Sequence, residues 1–191
     1  MFDDTLCLTD TQREIQQLAR AFAREHVAPF AADWDRDQHF EPSLVPKLGE
    51  SGFLGMLLPE THDGLGLDAL SYLLALEEIA MADASTAVLM SVHNSLPTQM
   101  LLNYGSPALQ ERYLKPMARG ELLGAFALSE PDAGSDAASL RCQAVRDGDH
   151  WVLDGTKSWI TSGTYDQLAV LVMARTDTPD ARKGAKGIST F

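Results

Sequence analysis

The chain has 191 residues, of which 45% are hydrophobic and 22% charged, and this length predicts one or two globular domains. The net charge of −12 disfavours nucleic acid as a partner, because an acidic surface repels phosphate backbones. No apolar run approaches the ~20 residues that a membrane-spanning helix needs, so we expect no membrane insertion.

The N-terminus and the metal-binding residue types narrow the class of protein further. The first ten residues, MFDDTLCLTD, lack the basic region of a signal peptide and the arginines of a transit peptide, which predicts a cytoplasmic, bacterial-type protein. Cys7 and Cys142 are far apart, and the five histidines show no metal-ligand spacing. We therefore expect neither a disulfide framework nor a metal site.

The first half of the chain has the periodicity of helices. Residues 9–12 (TDTQ) form a capping box that starts the first helix, and its apolar stripe runs over residues 15–26. Pro29 ends or kinks this helix. A short helix is predicted over 43–50, whereas periodicity alone does not assign the apolar run 53–58 (FLGMLL).

Three further helices are predicted before residue 120. Asp68 can cap a helix that continues to about Ile79. Residues 84–102 are apolar nearly all round, which predicts a central, buried helix with a bend at Pro97. Ser106 and Pro107 then provide the cap and the first residue of a helix that reaches about Leu114.

After Gly120 the pattern changes from helical to strand-like. The Asp147-Gly148 pair between two apolar segments indicates a hairpin, and 167–174 (QLAVLVMA) has the composition of a buried strand. We therefore predict an α+β protein with a helical domain over 1–120 and a β-domain over 121–191. The predicted strands lie at 141–146, 151–153, 167–174 and 187–191.

Residues 64–69 (GLGLDA) fit the dinucleotide fingerprint G-x-G-x-x-A. In a true Rossmann unit the glycines directly follow a strand, and an acid lies about 20 residues further on. Here residues 59–63 intervene, and Val88 and Leu89 occupy the position of the acid. An NAD-binding enzyme is therefore disfavoured, and a turn followed by a helix cap explains the glycines better.

The segment 126–136 (FALSEPDAGSD) and the downstream segment 159–161 (WIT) together form the main candidate site. Gly134 permits close approach to the backbone, Ser129, Ser135 and Thr161 offer hydroxyl groups, and Trp159 offers a flat apolar face. These groups suit a planar, hydrogen-bonding ring with a phosphate tail. A Ser/Pro/Gly linker with a core tryptophan explains the same spacing equally well.

The chain resembles the acyl-CoA dehydrogenase family, and its short-chain members in particular. The family signature reads small, aliphatic, hydroxyl, Glu, two free positions, small, Gly, hydroxyl, Asp, two free positions, small. Residues 127–139 (ALSEPDAGSDAAS) match every constrained position, and Asp132 stands at a free position where glycine is usual. The resemblance covers essentially the whole chain, with further matching text at 9–29, 64–80, 91–96 and 151–163.

The resemblance implies a fold of three domains. These are an N-terminal all-α domain, a middle β-barrel domain and a C-terminal four-helix domain, assembled as a homotetramer with FAD between the last two. The expectation is therefore a helical domain followed by an incomplete middle β-barrel, with the C-terminal domain absent. The implied flavin-binding residues are Phe126, Ala127, Leu128, Ser129, Ser135, Trp159, Ile160 and Thr161.

The resemblance also implies a role for several of these residues. The backbone of 126–129 and the Ser129 hydroxyl would contact the flavin ring, Trp159 would pack on the isoalloxazine, and Thr161 would hydrogen-bond near N5. Ser135 would lie by the pyrophosphate and the acyl-CoA substrate. The implied reaction, from fatty acid β-oxidation, is α,β-desaturation of an acyl-CoA, with hydride transfer to flavin N5. An electron-transfer flavoprotein would then take the electrons.

The resemblance further implies a substrate class and a limit on this chain. SVHNSL at 91–96 resembles short-chain members, and 88–101 would line the acyl pocket. The family's catalytic glutamate lies in the C-terminal domain, so we expect no catalytic residue here, negligible dehydrogenase activity and weak FAD retention. The alternative is a truncated, non-catalytic paralogue that acts as a flavin- or acyl-CoA-binding or assembly subunit.

Overall fold

The computed structural model describes residues 8–176 and 184–191, and the chain divides into two compact units. The first ends at Leu123 and is helical, and the second begins at Gly124 and contains a sheet. This is the predicted α+β order. Among the described residues, no helix is long and apolar enough to span a membrane.

Among the residues that the structure describes, seven α-helices build the first unit. They are α1 Asp10–His26, α2 Ala31–Asp37, α3 Leu44–Glu50, α4 Ala69–Ala82, α5 Ala84–Ser95, α6 Pro97–Tyr104 and α7 Pro107–Ala118. Several of their starts are those that the sequence predicts. Thr9 and Gln12 form the capping box of α1, Asp68 accepts a hydrogen bond from the Ser71 N–H at the start of α4, and Ser106 caps α7.

Helices α1 and α4 pack against each other along their apolar faces. Ala19, Phe22 and Ala23 are the buried apolar residues of α1. Arg20 Nη2 lies 2.6 Å from Glu78 Oε1, and Arg20 Nε donates to Glu78 Oε2 at 2.9 Å. The packed helices are therefore also joined by a two-pronged ion pair, whose carboxylate is buried.

The first half departs from prediction around Pro29. Helix α1 ends at His26, before the proline, and α2 follows after a short turn. The sequence analysis did not predict α2, a seven-residue helix with no buried residue and no side-chain cap. Its Trp34 ring stacks on Phe30 at a centroid distance of 5.7 Å. So short and exposed a helix has too weak a periodic signal to be found in the sequence.

The prediction of one bent, buried helix over 84–102 is wrong. Helix α5 stops at Ser95, and α6 begins with Pro97 as its first residue. Proline lacks the N–H that a continuing helix needs and its ring crowds the preceding turn, so it starts a helix rather than bending one. The segment is also not buried all round, since Val88 is 50% exposed.

One further helix prediction needs correction, and the apolar run that periodicity left unassigned has a defined structure. Helix α7 continues past Leu114 to Ala118, with Pro116 inside its last turn. The apolar run 53–58 is neither helix nor strand but a series of turns, although most of its side chains are buried. Buried turns of this kind show no periodicity because tertiary packing alone determines which side chains face inward.

The glycine loop at 64–66 packs against the protein's own backbone, which argues against the dinucleotide interpretation. Leu65 N–H donates to Gly55 O, and Gly66 N–H donates to Leu58 O at 2.8 Å. A Cβ on Gly64 would lie 2.1 Å from the Leu58 carbonyl oxygen. These backbone N–H groups are bonded to the protein's own carbonyls, so they are not directed at a phosphate.

In the second unit, the described residues form five strands in one sheet. They are β1 Leu123–Ala127, β2 Gln143–Asp147, β3 His150–Asp154, β4 Leu168–Thr176 and β5 Ile188–Thr190. The order is β1-β4-β2-β3, with β5 also paired to β4. Strands β2 and β3 form the predicted antiparallel hairpin, with Asp147 opposite His150. Strand β4 is less buried than predicted, because Ala174 is its only buried residue.

Candidate functional site

The signature segment begins where β1 ends. Strand β1 stops at Ala127, and the chain then turns tightly, so that Glu130 and Ala133 bond to each other in both directions. The Glu130 N–H donates to Ala133 O at 2.7 Å, and the Ala133 N–H donates to Glu130 O at 3.2 Å. Further along, the Ser139 hydroxyl donates to an Asp136 carboxylate oxygen. The segment is thus an ordered turn within the β unit.

Glu130 is the buried centre of this turn. Its carboxylate accepts hydrogen bonds from the Arg141 N–H at 2.5 Å and the Cys142 N–H at 2.9 Å, and it lies 2.8 Å from Lys157 Nζ. Burial by itself would raise the pKa of Glu130, but these hydrogen bonds outweigh it and leave the pKa below its ordinary value. Glu130 is therefore an ionised structural group, engaged on both oxygens.

Two consecutive residues join the downstream segment to the signature turn. Lys157 Nζ donates to Leu128 O at 3.0 Å, and the Ser158 N–H donates to Ser129 O at 2.9 Å. The two residues that immediately precede the segment 159–161 are therefore hydrogen-bonded to the signature segment 126–136. This connection is absent from any local pattern, since about 29 residues separate its two sides.

Trp159 is held so that its ring points outward. The side chain is 96% exposed, the largest exposure among the large hydrophobic residues of the described chain. Its φ of 61° lies in the left-handed region, and Ser162, three residues on, has a φ of 65°. Residues other than glycine rarely adopt such φ values. Strained residues of this kind concentrate at functional sites. The core role that the linker interpretation assigned to Trp159 is therefore wrong.

The residues around this turn fit a flavin. In the part of the chain that the structure describes, the hydroxyls of Ser129, Ser135 and Thr161 have no hydrogen-bond partner. A Cβ built on Gly134 would meet nothing within 4 Å, so the backbone there is open to close approach. Free hydroxyls, an open backbone and an exposed indole face are the groups that a planar ring with a phosphate tail needs.

The remaining predicted residues differ in burial. Phe126 and Ala127 lie in β1, and Ala127 is buried, so it can offer only backbone atoms to a ligand. Leu128 and Ile160 are half-buried, whereas Ser135 is exposed in the turn. Among the described residues, no hydrogen bond joins the Ser135 side chain to Ser129 or to Trp159, so its predicted role by a pyrophosphate stays a prediction.

The sequence analysis missed Lys157 and assigned Glu130 only to a turn. The available signal was a lysine two residues before the tryptophan, with a side chain that the structure leaves only 11% exposed. A lone lysine in a sequence usually indicates a solvated surface, because its stem is flexible and its charge is hydrated. Only the pairing of distant segments turns it into a buried donor.

Family models match both units of the chain. The model described as "Acyl-CoA dehydrogenase, N-terminal domain" matches residues 9–121, and the model described as "Acyl-CoA dehydrogenase, middle domain" matches residues 125–191. Short-chain specific acyl-CoA dehydrogenase, mitochondrial, from Mus musculus is 44% identical over 184 residues, which cover 96% of this chain and 44% of the mouse protein. The chain thus spans less than half of that relative's length.

Solved structures of the same family share this fold. Butyryl-CoA dehydrogenase from Megasphaera elsdenii matches with a TM-score of 0.88 and 35% identity, over 96% of this chain and 48% of that one. A glutaryl-CoA dehydrogenase from Mycobacterium smegmatis, in complex with FADH2, matches with a TM-score of 0.85 and 35% identity, over 92% of this chain and 45% of that one.

A third match is a chain from a structure titled for the electron transferring flavoprotein of Acidaminococcus fermentans. Its TM-score is 0.91 and its identity 38%, over 97% of this chain and 48% of that one. The helical unit and the sheet unit thus correspond in order to the two matched family domains. The chain belongs to the acyl-CoA dehydrogenase family.

Proposed function

We propose that this chain forms the helical domain and the first part of the middle domain of an FAD-dependent dehydrogenase that desaturates short-chain acyl-CoA thioesters. The observation that carries the proposal is the hydrogen bond between Ser158 N–H and Ser129 O. It joins the signature turn to the segment that exposes Trp159, so ring-stacking and hydrogen-bonding groups belong to one region.

The chain's own residues would bind and orient the cofactor. When bound, FAD accepts the hydride that leaves the β-carbon of the acyl chain. The Trp159 face would cover the ring, and the hydroxyls of Ser129 and Thr161 would donate hydrogen bonds to its polar edge. Such fixed donors stabilise negative charge that develops on a reduced ring. Ser135 and the open backbone at Gly134 would accommodate the phosphates.

We infer that the base that removes the α-proton is not among the residues of this chain. The two buried carboxylates of the described residues are both engaged, Glu130 with Lys157 and Glu78 with Arg20. For Glu130, hydrogen bonds and the Lys157 charge hold the pKa below its ordinary value, which makes this carboxylate a poor proton acceptor. Turnover of butyryl-CoA by the 191-residue chain is expected to be negligible, and robust turnover would contradict this part of the proposal.

The names of the relatives support the proposed substrate and the proposed electron acceptor. The short-chain name of the mouse relative and the butyryl-CoA name of the Megasphaera structure support a short acyl chain. The structure titled for an electron transferring flavoprotein supports such a protein as the electron acceptor. The homotetramer implied by the family resemblance stays a prediction, which light scattering on the purified protein would check.

A titration with FAD tests the cofactor site directly, even where binding is weak. The chain has three tryptophans, Trp34, Trp151 and Trp159, so their indole N–H signals can be followed together by NMR. FAD is expected to shift the Trp159 indole and the Ser129 and Thr161 amides, and to leave Trp34 and Trp151 unchanged. Shifts confined to other residues, or none at millimolar FAD, would refute the site.

A matched pair of variants completes this test. Trp159→Ala is expected to weaken FAD binding, because it removes the exposed ring that would stack on the flavin. Trp151→Ala removes a second partly exposed ring of the same unit, which has no predicted flavin contact. The centroid of the Trp151 ring lies 5.1 Å from that of the Phe191 ring. Equal losses of FAD binding in the two variants would indicate damage to the sheet and not a stacking role.

A further inference from the structure

Lys157 is nearly buried, which needs a reason because a buried ammonium group is costly unless it is paired. Its side chain is 11% exposed and that of Glu130 is 6% exposed. A buried ion pair is weak evidence for stability, since well-packed apolar residues often serve as well or better. Its more specific effect is geometric, because a charged hydrogen bond fixes both distance and direction.

Lys157 also contacts the backbone of the signature segment, in addition to its counter-ion Glu130. Besides Glu130, Nζ donates to Leu128 O at 3.0 Å, and the next residue, Ser158, donates through its N–H to Ser129 O at 2.9 Å. Two consecutive residues thus engage two consecutive carbonyls. Neither pair belongs to a strand, since Leu128 and Ser129 follow the end of β1, and Lys157 and Ser158 lie between the end of β3 and the start of β4. Two adjacent anchors fix both the distance and the rotation of one segment relative to the other.

The segment that follows these anchors carries the backbone strain. Trp159 and Ser162 both have left-handed φ values, which residues other than glycine adopt only with backbone strain. A free loop would relax such angles, so surrounding contacts must hold them. The anchors at Lys157 and Ser158 immediately precede the first strained residue, and they are therefore well placed to hold the Trp159 ring outward.

We propose that Lys157 is a positioning residue, which fastens the segment 159–161 to the exit of β1 and so presents Trp159 and Thr161 in one arrangement before any flavin binds. This inference rests on the proposed function, because the value of the arrangement lies in flavin binding. Pre-organisation of this kind strengthens binding by removing the ordering that a mobile loop would require. Nothing in the role requires Lys157 to contact the cofactor.

Hydrogen exchange of the free 191-residue chain tests the fastening without a cofactor. In Lys157→Met, the Ser158 amide is expected to exchange about tenfold faster or more, as loss of a hydrogen bond to a charged group implies. The sheet amides of Val172 and Arg175, which donate to Phe191 O and Cys142 O, should keep their protection. Unchanged protection of Ser158 would overturn the proposal.

Two further variants keep the result interpretable. Lys115→Met makes the same substitution in the exposed pair with Glu111 on α7, and should leave Ser158 unaffected. If Lys157→Met fails to fold, Glu130→Gln combined with Lys157→Met removes both charges and avoids an unpaired buried carboxylate. Selective loss of Ser158 protection in that variant supports positioning, whereas parallel loss at Val172 and Arg175 overturns it.

FAD titration then separates this inference from the proposed function. In Lys157→Met the FAD dissociation constant is expected to rise about tenfold, because the loop must be ordered on binding. Lys157→Arg, which keeps the cation, should restore part of the affinity. Failure of the unmodified chain to shift Trp159 with FAD would refute the function, and an unaltered dissociation constant in a loosened Lys157→Met would refute positioning.

Discussion

The helical unit and the β unit bury different kinds of side chain. Except for Leu140, every one of the largest fully buried side chains in the described residues lies before Gly124. The buried apolar residues of the β unit are otherwise alanines and Cys142, while Trp151 and Val152 are exposed. The helical unit is therefore stabilised by its own core, whereas the β unit depends on strand pairing and on polar ties such as Glu130–Lys157.

The candidate flavin-binding residues lie in the β unit, the one with few large buried side chains. In the helical unit, the buried Glu78 carboxylate pairs with the partly exposed Arg20 and joins α4 to α1. The β unit places its buried ion pair beside the signature turn and leaves the large Trp159 ring outside. These are the features on which the proposed flavin site depends.

The largest effect should come from the core of the helical unit. Phe53 is 1% exposed and packs edge-on against Phe22, with ring centroids 5.2 Å apart. Phe53→Ala should lower the free energy of unfolding by about 3–5 kcal/mol, through lost burial and a residual cavity. Urea denaturation followed by far-UV circular dichroism measures the change. A loss below about 1 kcal/mol would contradict the conclusion that a large apolar core stabilises the helical unit.

Acid should destabilise the helical unit through His93. Burial of the ring lowers the pKa of His93 from 6.5 to about 4, and backbone hydrogen bonds at Leu54 and Met117 only partly offset this. The unfolded state therefore takes up the proton first. The contribution to stability is complete above pH 6.5 and is lost as the pH falls towards 4, up to about 3 kcal/mol.

Comparison of variants isolates this contribution from that of the carboxylates. His93→Gln should flatten the fall in unfolding free energy between pH 6.5 and 4, relative to the unmodified chain. His150→Gln, at an exposed position of β3, should leave the slope unchanged. Urea titrations at several pH values measure both slopes, and equal slopes in all three proteins would exclude His93 as the source.

The Arg20–Glu78 pair should give an intermediate effect. Arg20→Met leaves the buried Glu78 carboxylate without its partner, which is expected to lower the unfolding free energy by about 2 kcal/mol. This loss of unfolding free energy is small for a buried carboxylate, because the Arg20 side chain is 44% exposed and solvent can replace part of the interaction. Adding Glu78→Gln should recover part of the loss, and no recovery would point to lost packing of the arginine stem.

The smallest effect should come from an apolar residue of the β unit. Val152, in β3, is 51% exposed and lies opposite Val145 in the hairpin. Val152→Ala should change the unfolding free energy by less than about 0.5 kcal/mol, as is usual for surface positions. Thermal unfolding measured by circular dichroism checks this. A loss of 2 kcal/mol or more would show that the sheet has an apolar core comparable to that of the helices.

Much of the fold could be predicted from local sequence. Caps at Thr9, Asp68 and Ser106, and the hairpin turn before His150, depend on residues within a few positions of each other, so their signals are visible in the chain. The predictions failed where a local rule was insufficient. Pro97 divides two helices instead of bending one, and α2 has too few residues for a periodic stripe.

The candidate site divides in the same way. The spacing of hydroxyls, Gly134 and Trp159 marked the two segments, because residue type alone indicates which groups can stack or donate. The sequence by itself thus determined most of the elements, several of their caps and the chemistry available to them. Only the tertiary structure decided that Lys157 and Ser158 engage Leu128 and Ser129, and that Trp159 faces outward. The physical reason is that these contacts join residues about 30 positions apart, which no local pattern encodes.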